Sequence, residues 1–126
     1  MAKVLVVEDN EDSREILARQ LVHLGYEVTE VGSGSEALAQ VARERPDMIV
    51  LDIMMPGEDG RDVARKIRKD PKTKDIPILA ATVFFQREDI QSCLNAGCND
   101  VLTKPFQLQE LKDKLEQILK PAKKTP

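Results

Sequence analysis

A chain of 126 residues suits one domain built around one hydrophobic core. With 41% hydrophobic and 33% charged residues its composition is that of a globular protein, and a net charge of −3 without a basic cluster leaves no electrostatic footprint for nucleic acid. No apolar run approaches the roughly 20 residues that cross a bilayer, and the opening MAKVLVVEDN lacks the layout of a secretory signal, so a cytoplasmic location without membrane insertion is expected.

Lys3–Val7 (KVLVV) is a continuous β-branched run, as in a strand covered on both faces. Ile16, Leu17, Leu21 and Leu24 then recur at helical spacing, Gly25 supplies the stop, and Asp12 or Ser13 stands where a cap is needed. Glu27–Val31 alternates like a half-buried strand. A helix is predicted over 35–45, with Leu38, Val41 and Ala42 inward and Pro46 just past its end. The third strand is 48–51 (MIVL). Gly60 opens a helix carrying Val63, Ala64 and Ile67, closed by Asp70-Pro71. The fourth strand is 77–81 (PILAA), and Ile90, Cys93 and Leu94 mark a helix ending at Gly97. Asp100–Thr103 is a short fifth strand, and Leu108, Leu111, Leu115 and Ile118 make a last helix before PAKKTP. That ending reads as a frayed end or the start of a linker, so one domain over 1–121 and a tail over 122–126 are expected.

Strand and helix alternate five times, which predicts an α/β fold with a parallel sheet between helix layers. In such a sheet the working loops gather at the carboxyl ends of the strands. The first strand ends in Glu8-Asp9, the third in Asp52, the fourth in Thr82, and the fifth in Thr103-Lys104-Pro105. Any one of these is ordinary, since acids cap helices and lone Thr or Lys residues populate surfaces. Their convergence is not, because two carboxylates roughly 5 Å apart repel by about 3 kcal/mol at an effective dielectric near 20. Three gathered acids require a compensating cation, and an oxygen-only donor set suits Mg²⁺. Cys93 and Cys98 have no metal-ligand partner, His23 being the single histidine, and read as reduced packing residues.

The segments VLVVEDN (4–10), VLDIMMPGEDG (50–60), IPILAAT (76–82) and LTKPF (102–106), in this order and spacing, resemble the response-regulator receiver domain over essentially the whole chain. The resemblance implies a flavodoxin-like three-layer sandwich, doubly wound, with a five-stranded parallel sheet in order 2-1-3-4-5 and five helices. It implies two-component phosphorelay signalling, in which Asp52 accepts a phosphoryl group from a phosphohistidine on a sensor histidine kinase or histidine phosphotransfer protein. Mg²⁺ would be held by Asp9, Asp52 and the backbone carbonyl of Met54, with Glu8 acting through a water. Lys104 would pair with Asp52 and then with the phosphoryl group, Thr82 would turn its hydroxyl to a phosphoryl oxygen, and the Lys104–Pro105 bond would be cis. Pro56 and Gly57 would shape the loop after Asp52. The output would be a changed surface for a downstream protein or output domain, with no enzyme activity beyond phosphotransfer and autodephosphorylation.

Three positions depart from the family pattern. Val101 stands where Tyr or Phe is common, so the swinging-ring half of the usual switch has no side chain here. Val83 replaces a common Ala, and Phe84 and Phe85 follow where a small residue is usual; one of these rings is expected to be exposed as a partner anchor. Two rival readings are weaker. A haloacid-dehalogenase-type phosphatase needs a D-x-D pattern after its first strand, where this chain has EDNED, and there is no GxxxxGK[ST] phosphate loop. A constitutive receiver-like interaction module, not controlled by phosphorylation, needs the loss of a pocket residue, and all five are present.

Overall fold

The computed structural model describes residues 1–84 and 86–119; the tail expected at 122–126 and the ring of Phe85 lie outside them. In chain order the elements are β1 (Lys3–Val7), α1 (Glu11–His23), β2 (Glu27–Val31), α2 (Gly34–Arg43), β3 (Met48–Asp52), β4 (Met54–Met55), β5 (Glu58–Asp59), α3 (Gly60–Lys69), β6 (Ile78–Thr82), α4 (Arg87–Asn95), β7 (Asp100–Thr103) and α5 (Leu108–Leu119). The main sheet runs β2-β1-β3-β6-β7 with every pairing parallel. Counted along its five strands this is the expected order 2-1-3-4-5.

Alternation along each strand divides the core in two. Leu5 and Val7 of β1, Ile49 and Leu51 of β3, and Ile78 and Ala80 of β6 meet Ala37 and Val41 of α2, Val63, Ala64 and Ile67 of α3, and Cys93 of α4. Their neighbours Val4, Val6, Met48, Val50, Leu79 and Ala81 face Leu17 and Leu21 of α1 and Leu111 and Leu115 of α5 on the other side. Three central strands apolar on both faces are what a buried parallel sheet requires.

Several local expectations are corrected. The cap of α1 is Asn10, not Asp12 or Ser13: Asn10 is the last extended residue, and its Oδ1 accepts from the Ser13 amide at 2.9 Å. Helix α2 starts one residue early, capped by Ser33, and ends at Arg43; its buried side is set by Ala37 and Val41, four apart, which turns Ala42 to solvent. Ile16 is likewise exposed, because the buried stripe of α1 passes through Leu17, Ala18 and Leu21. The third strand extends one residue further, to Asp52, and the fourth is shifted by one, running Ile78–Thr82.

At the far end of the sheet from the acids, Arg68 fastens α3 to two turns. It donates to the carbonyls of Gly97 at 2.9 Å, Lys74 at 2.9 Å and Ile76 at 2.6 Å, and to Asn99 Oδ1 at 2.9 Å. Both cysteines are free and buried; burial pushes the Cys98 thiol up to about 12 and the Cys93 thiol upward too, which leaves them as inert packing groups.

Candidate functional site

Strand register brings the acids together. Val7 pairs with Leu51, Asp52 with Ala81, and Thr82 with Thr103, so the carboxyl ends of the four strands finish level. Glu8 and Asp9 follow β1 at once, Asp52 and Thr82 are the last residues of β3 and β6, and Lys104 is the first residue past β7. Glu8, Asp9 and Asp52 each place a carboxylate oxygen within 4.8 Å of the others. Glu8 and Asp52 are only 4% and 5% exposed, while Asp9 is more open to solvent.

The Lys104 ammonium enters between the two buried acids. Its Nζ donates to Glu8 Oε1 at 2.8 Å and to Asp52 Oδ1 at 3.4 Å, so the shorter bond goes to Glu8 rather than to Asp52. Glu8 also accepts from the Asn10 amide at 3.2 Å, which fixes its carboxylate beside the ammonium. Burial pushes the Asp52 carboxyl up to about 6, with the Lys104 charge resisting and Glu8 reinforcing the rise. For Lys104 burial works against the charge, but the hydrogen bond to Glu8 and the two carboxylate charges outweigh it and raise the pKa. At neutral pH the pocket therefore holds an ionised carboxylate with incomplete compensation, a candidate oxygen nucleophile.

Thr82 is buried, and its Oγ1 accepts from the Phe84 amide at 3.1 Å, which leaves the hydroxyl hydrogen to donate elsewhere. The Lys104–Pro105 bond is cis. Phe84 is 41% exposed, as expected of one of the two rings. An open groove of about 440 Å³ leads to Glu8 and Lys104 between Ile16 and Leu17 of α1 and Val83 and Phe106.

After Asp52 the chain makes a hairpin that the sequence pattern does not reveal. Met54 pairs with Asp59 and Met55 with Glu58, and Gly57 at the turn has φ +69°, a conformation side-chain-bearing residues rarely adopt. Gly60 donates its amide to the Ile53 carbonyl at 2.8 Å, and a Cβ there would lie 2.5 Å from the Asp52 carbonyl oxygen. Two acids of this hairpin anchor it. Glu58 Oε1 accepts from the Gly34 amide at the start of α2, at 2.8 Å. Asp59 caps α3 through the Arg61 amide and grips the Arg61 guanidinium, the closest contact being 2.6 Å. Glu58, Asp59 and Arg61 are not among the residues that the sequence marks out; an Asp before Gly60 is a cap signal, but the partner of Glu58 lies 24 residues away and carries no local mark.

These features have relatives. Residues 4–116 match the family model described as the response regulator receiver domain. The response regulator PleD of Caulobacter vibrioides is 44% identical over 105 residues, 83% of this chain and 23% of its own length. The structure of Vibrio cholerae chemotaxis protein CheY4 superposes with a TM-score of 0.89 at 34% identity, covering 94% of this chain and 99% of that one. The receiver domain of sensor histidine kinase PA1611 from Pseudomonas aeruginosa, described with magnesium coordinated in its active site cleft, has a TM-score of 0.86 at 36% identity, covering 94% and 97%. The chain spans 23% to 52% of the length of the curated relatives it matches. Flavodoxin-like in fold and continuous with these proteins over almost all its described length, the chain belongs to the response regulator receiver domain family, the receivers of two-component systems.

Proposed function

We propose that Asp52 accepts a phosphoryl group from a phosphohistidine with the help of Mg²⁺, and that phosphorylation changes a protein-binding surface. The observation that carries this reading is the cluster of Glu8, Asp9 and Asp52 within 4.8 Å, bridged by Lys104. The all-oxygen donor set fits a hard divalent cation. Asp9, Asp52 and the Met54 carbonyl would hold it, with Glu8 acting through a water; bound there, Mg²⁺ would supply charge neutralisation for the transferring group. An Asp52 oxygen attacks phosphorus as the donor's N–P bond breaks, and the imidazole leaves with that electron pair. Lys104 lies close enough to both acids to turn from Glu8 to a phosphoryl oxygen. Thr82 offers its free hydroxyl hydrogen to another, drawing Val83 and Phe84 with it, so the loop after β6 carries the conformational change in place of a ring at 101.

The donor is a sensor histidine kinase or histidine phosphotransfer protein, and the recipient of the signal is a downstream protein or an output domain beyond a tail at 122–126. Residues 1–121 would then act as one unit in the cytoplasm, a phosphoacceptor rather than an enzyme with its own substrate. Acetyl phosphate with Mg²⁺ is expected to label the wild type with acid-labile phosphate; an unlabelled protein under conditions that label a control receiver would overturn the reading.

Mg²⁺ is expected to raise the melting temperature of the wild type more than that of Asp9→Ala, since ligand binding stabilises the folded state in proportion to affinity. At saturating cation a difference of about 1–3 kcal/mol is expected; equal shifts would remove Asp9 from the ligand set. A second expectation concerns lifetime. Met54 and Phe84, 51% and 41% exposed, are expected to flank the approach of a hydrolytic water to Asp52. Phosphoryl decay should be several-fold faster, roughly 1 kcal/mol in barrier, in the double variant Met54→Asn with Phe84→Glu. Equal or slower decay would remove the shielding role and leave Asp52 as acceptor.

A further inference from the structure

We infer that Asp59, Arg61 and Ser92 form a polar link that carries a change at the Asp52 loop into α4; the inference rests on the phosphoacceptor reading of Asp52. The link starts close to the acceptor. Asp59 is the pairing partner of Met54, two residues after Asp52, and the next amide, Gly60, is bonded to the Ile53 carbonyl. A shift of the Met54 carbonyl toward a cation therefore moves Asp59.

From Asp59 the chain of contacts is continuous. Arg61 Nε lies 3.0 and 3.1 Å from the two Asp59 oxygens and Nη2 lies 2.6 Å from Oδ2, a forked, charge-assisted arrangement with a defined plane. The hydrogen bond to Asp59 raises the Arg61 pKa further, so the charge is constant. Its remaining arm, Nη1, crosses to α4 and donates to Ser92 Oγ at 2.9 Å. That hydroxyl spends its own hydrogen on the Asp89 carbonyl, one turn earlier in α4, at 2.8 Å. Loop, guanidinium and helix are thus joined without a gap.

The receiving element is one that a single bond can bias. Within its span α4 buries one side chain, Cys93, and its N-cap Gln86 makes no side-chain capping bond. Helices α1, α2 and α3 each have a capping side chain and three or four buried residues. Elements held by so few buried contacts open and shift most readily. Because Val101 has no ring to relay a movement toward this side, the Arg61 bridge supplies a second route from the pocket to α4, separate from Thr82. Arg61 is a positioning residue in this account and touches no reacting atom.

Backbone amide NMR shifts on adding Mg²⁺ with beryllofluoride, an acyl-phosphate mimic, test the link in wild type, Ser92→Ala, Ser92→Thr and Arg61→Ala. In the wild type, shifts are expected both at 52–60 and across 89–94. In Ser92→Ala and Arg61→Ala the shifts at 52–60 should persist, while those across 89–94 fall roughly two-fold or more, within the range by which intermediate residues modulate coupling. Ser92→Thr, which keeps the hydroxyl, should restore them. Ser92→Ala favours the helix and keeps the test sound if Arg61→Ala folds poorly. Unchanged α4 shifts in Ser92→Ala would overturn the link alone. A wild type with no response at 52–60 would overturn the phosphoacceptor reading and the link with it.

Discussion

Asp52→Asn is expected to abolish labelling by acetyl phosphate and, in metal-free buffer at neutral pH, to melt at a higher temperature than the wild type. The first effect follows from the nucleophile: an amide in the same place does not form an acyl phosphate. The second follows from electrostatics. The folded carboxyl, raised by burial to about 6 from an ordinary 3.8, is less stable when ionised than it would be in the unfolded chain. A carboxyl raised in the folded state binds its proton more tightly there, so the stability it contributes falls as pH climbs from about 4 to about 6 and stays low above that. A rise of that size corresponds to roughly 3 kcal/mol in the limit, and with Lys104 and Glu8 free to readjust, about 1–2 kcal/mol is the measurable gain, or roughly 3–8 °C in melting temperature. The variant's advantage should vanish below about pH 4 and, on the proposed ligand set, reverse at pH 7 on adding Mg²⁺, because the variant has one anionic ligand fewer. Thermal melts across pH, with and without the cation, check each sign. Wild-type labelling of the variant would place the acceptor elsewhere.

Gly60→Ala is expected to destabilise the protein by about 2–3 kcal/mol, lowering the melting temperature by roughly 10 °C. At an ordinary helix start the same change would be neutral or helpful, since Ala exceeds Gly in helix propensity by about 1 kcal/mol. Here the new methyl would stand 2.5 Å from the Asp52 carbonyl oxygen and 2.7 Å from Ile53 Cα. Both obstacles are backbone, so no side chain can rotate away. The loop would have to leave the end of α3, displacing the Met54 carbonyl, a ligand of the proposed Mg²⁺ site. A variant as stable as the wild type would show that the hairpin after Asp52 yields freely.

The pocket was legible in the sequence because each of its side chains sits at the carboxyl end of a strand, and strand ends can be read from apolar runs such as VLVV and MIVL. Register then does the rest: a parallel sheet with level ends leaves Glu8, Asp52, Thr82 and Lys104 nowhere else to go. What could not be read depends on phase or on distant partners. One helical step decides whether Ala37 or Ala42 is buried, and periodicity in a ten-residue helix does not resolve it. Glu58, Asp59 and Arg68 look like ordinary surface charges until the fold sets an α2 amide, an arginine and the turns around Ile76, Gly97 and Asn99 beside them. The preference of Lys104 for Glu8 over Asp52 is a matter of 2.8 against 3.4 Å, below what residue spacing can express.

The shared ammonium also decides what the resting cleft turns away. Glu8, Asp9 and Asp52 bring three negative charges and Lys104 one positive, a net of −2 in a space a few ångströms wide. Orthophosphate, nucleotides and small dicarboxylates meet a repulsive field there, strongest where low-dielectric walls focus it. A dication held by these acids would cancel that −2 and leave the cleft neutral toward an incoming anionic group. On the proposed phosphoacceptor reading, the cation-free cleft would thus exclude background anions by charge, and cation binding would lift that exclusion.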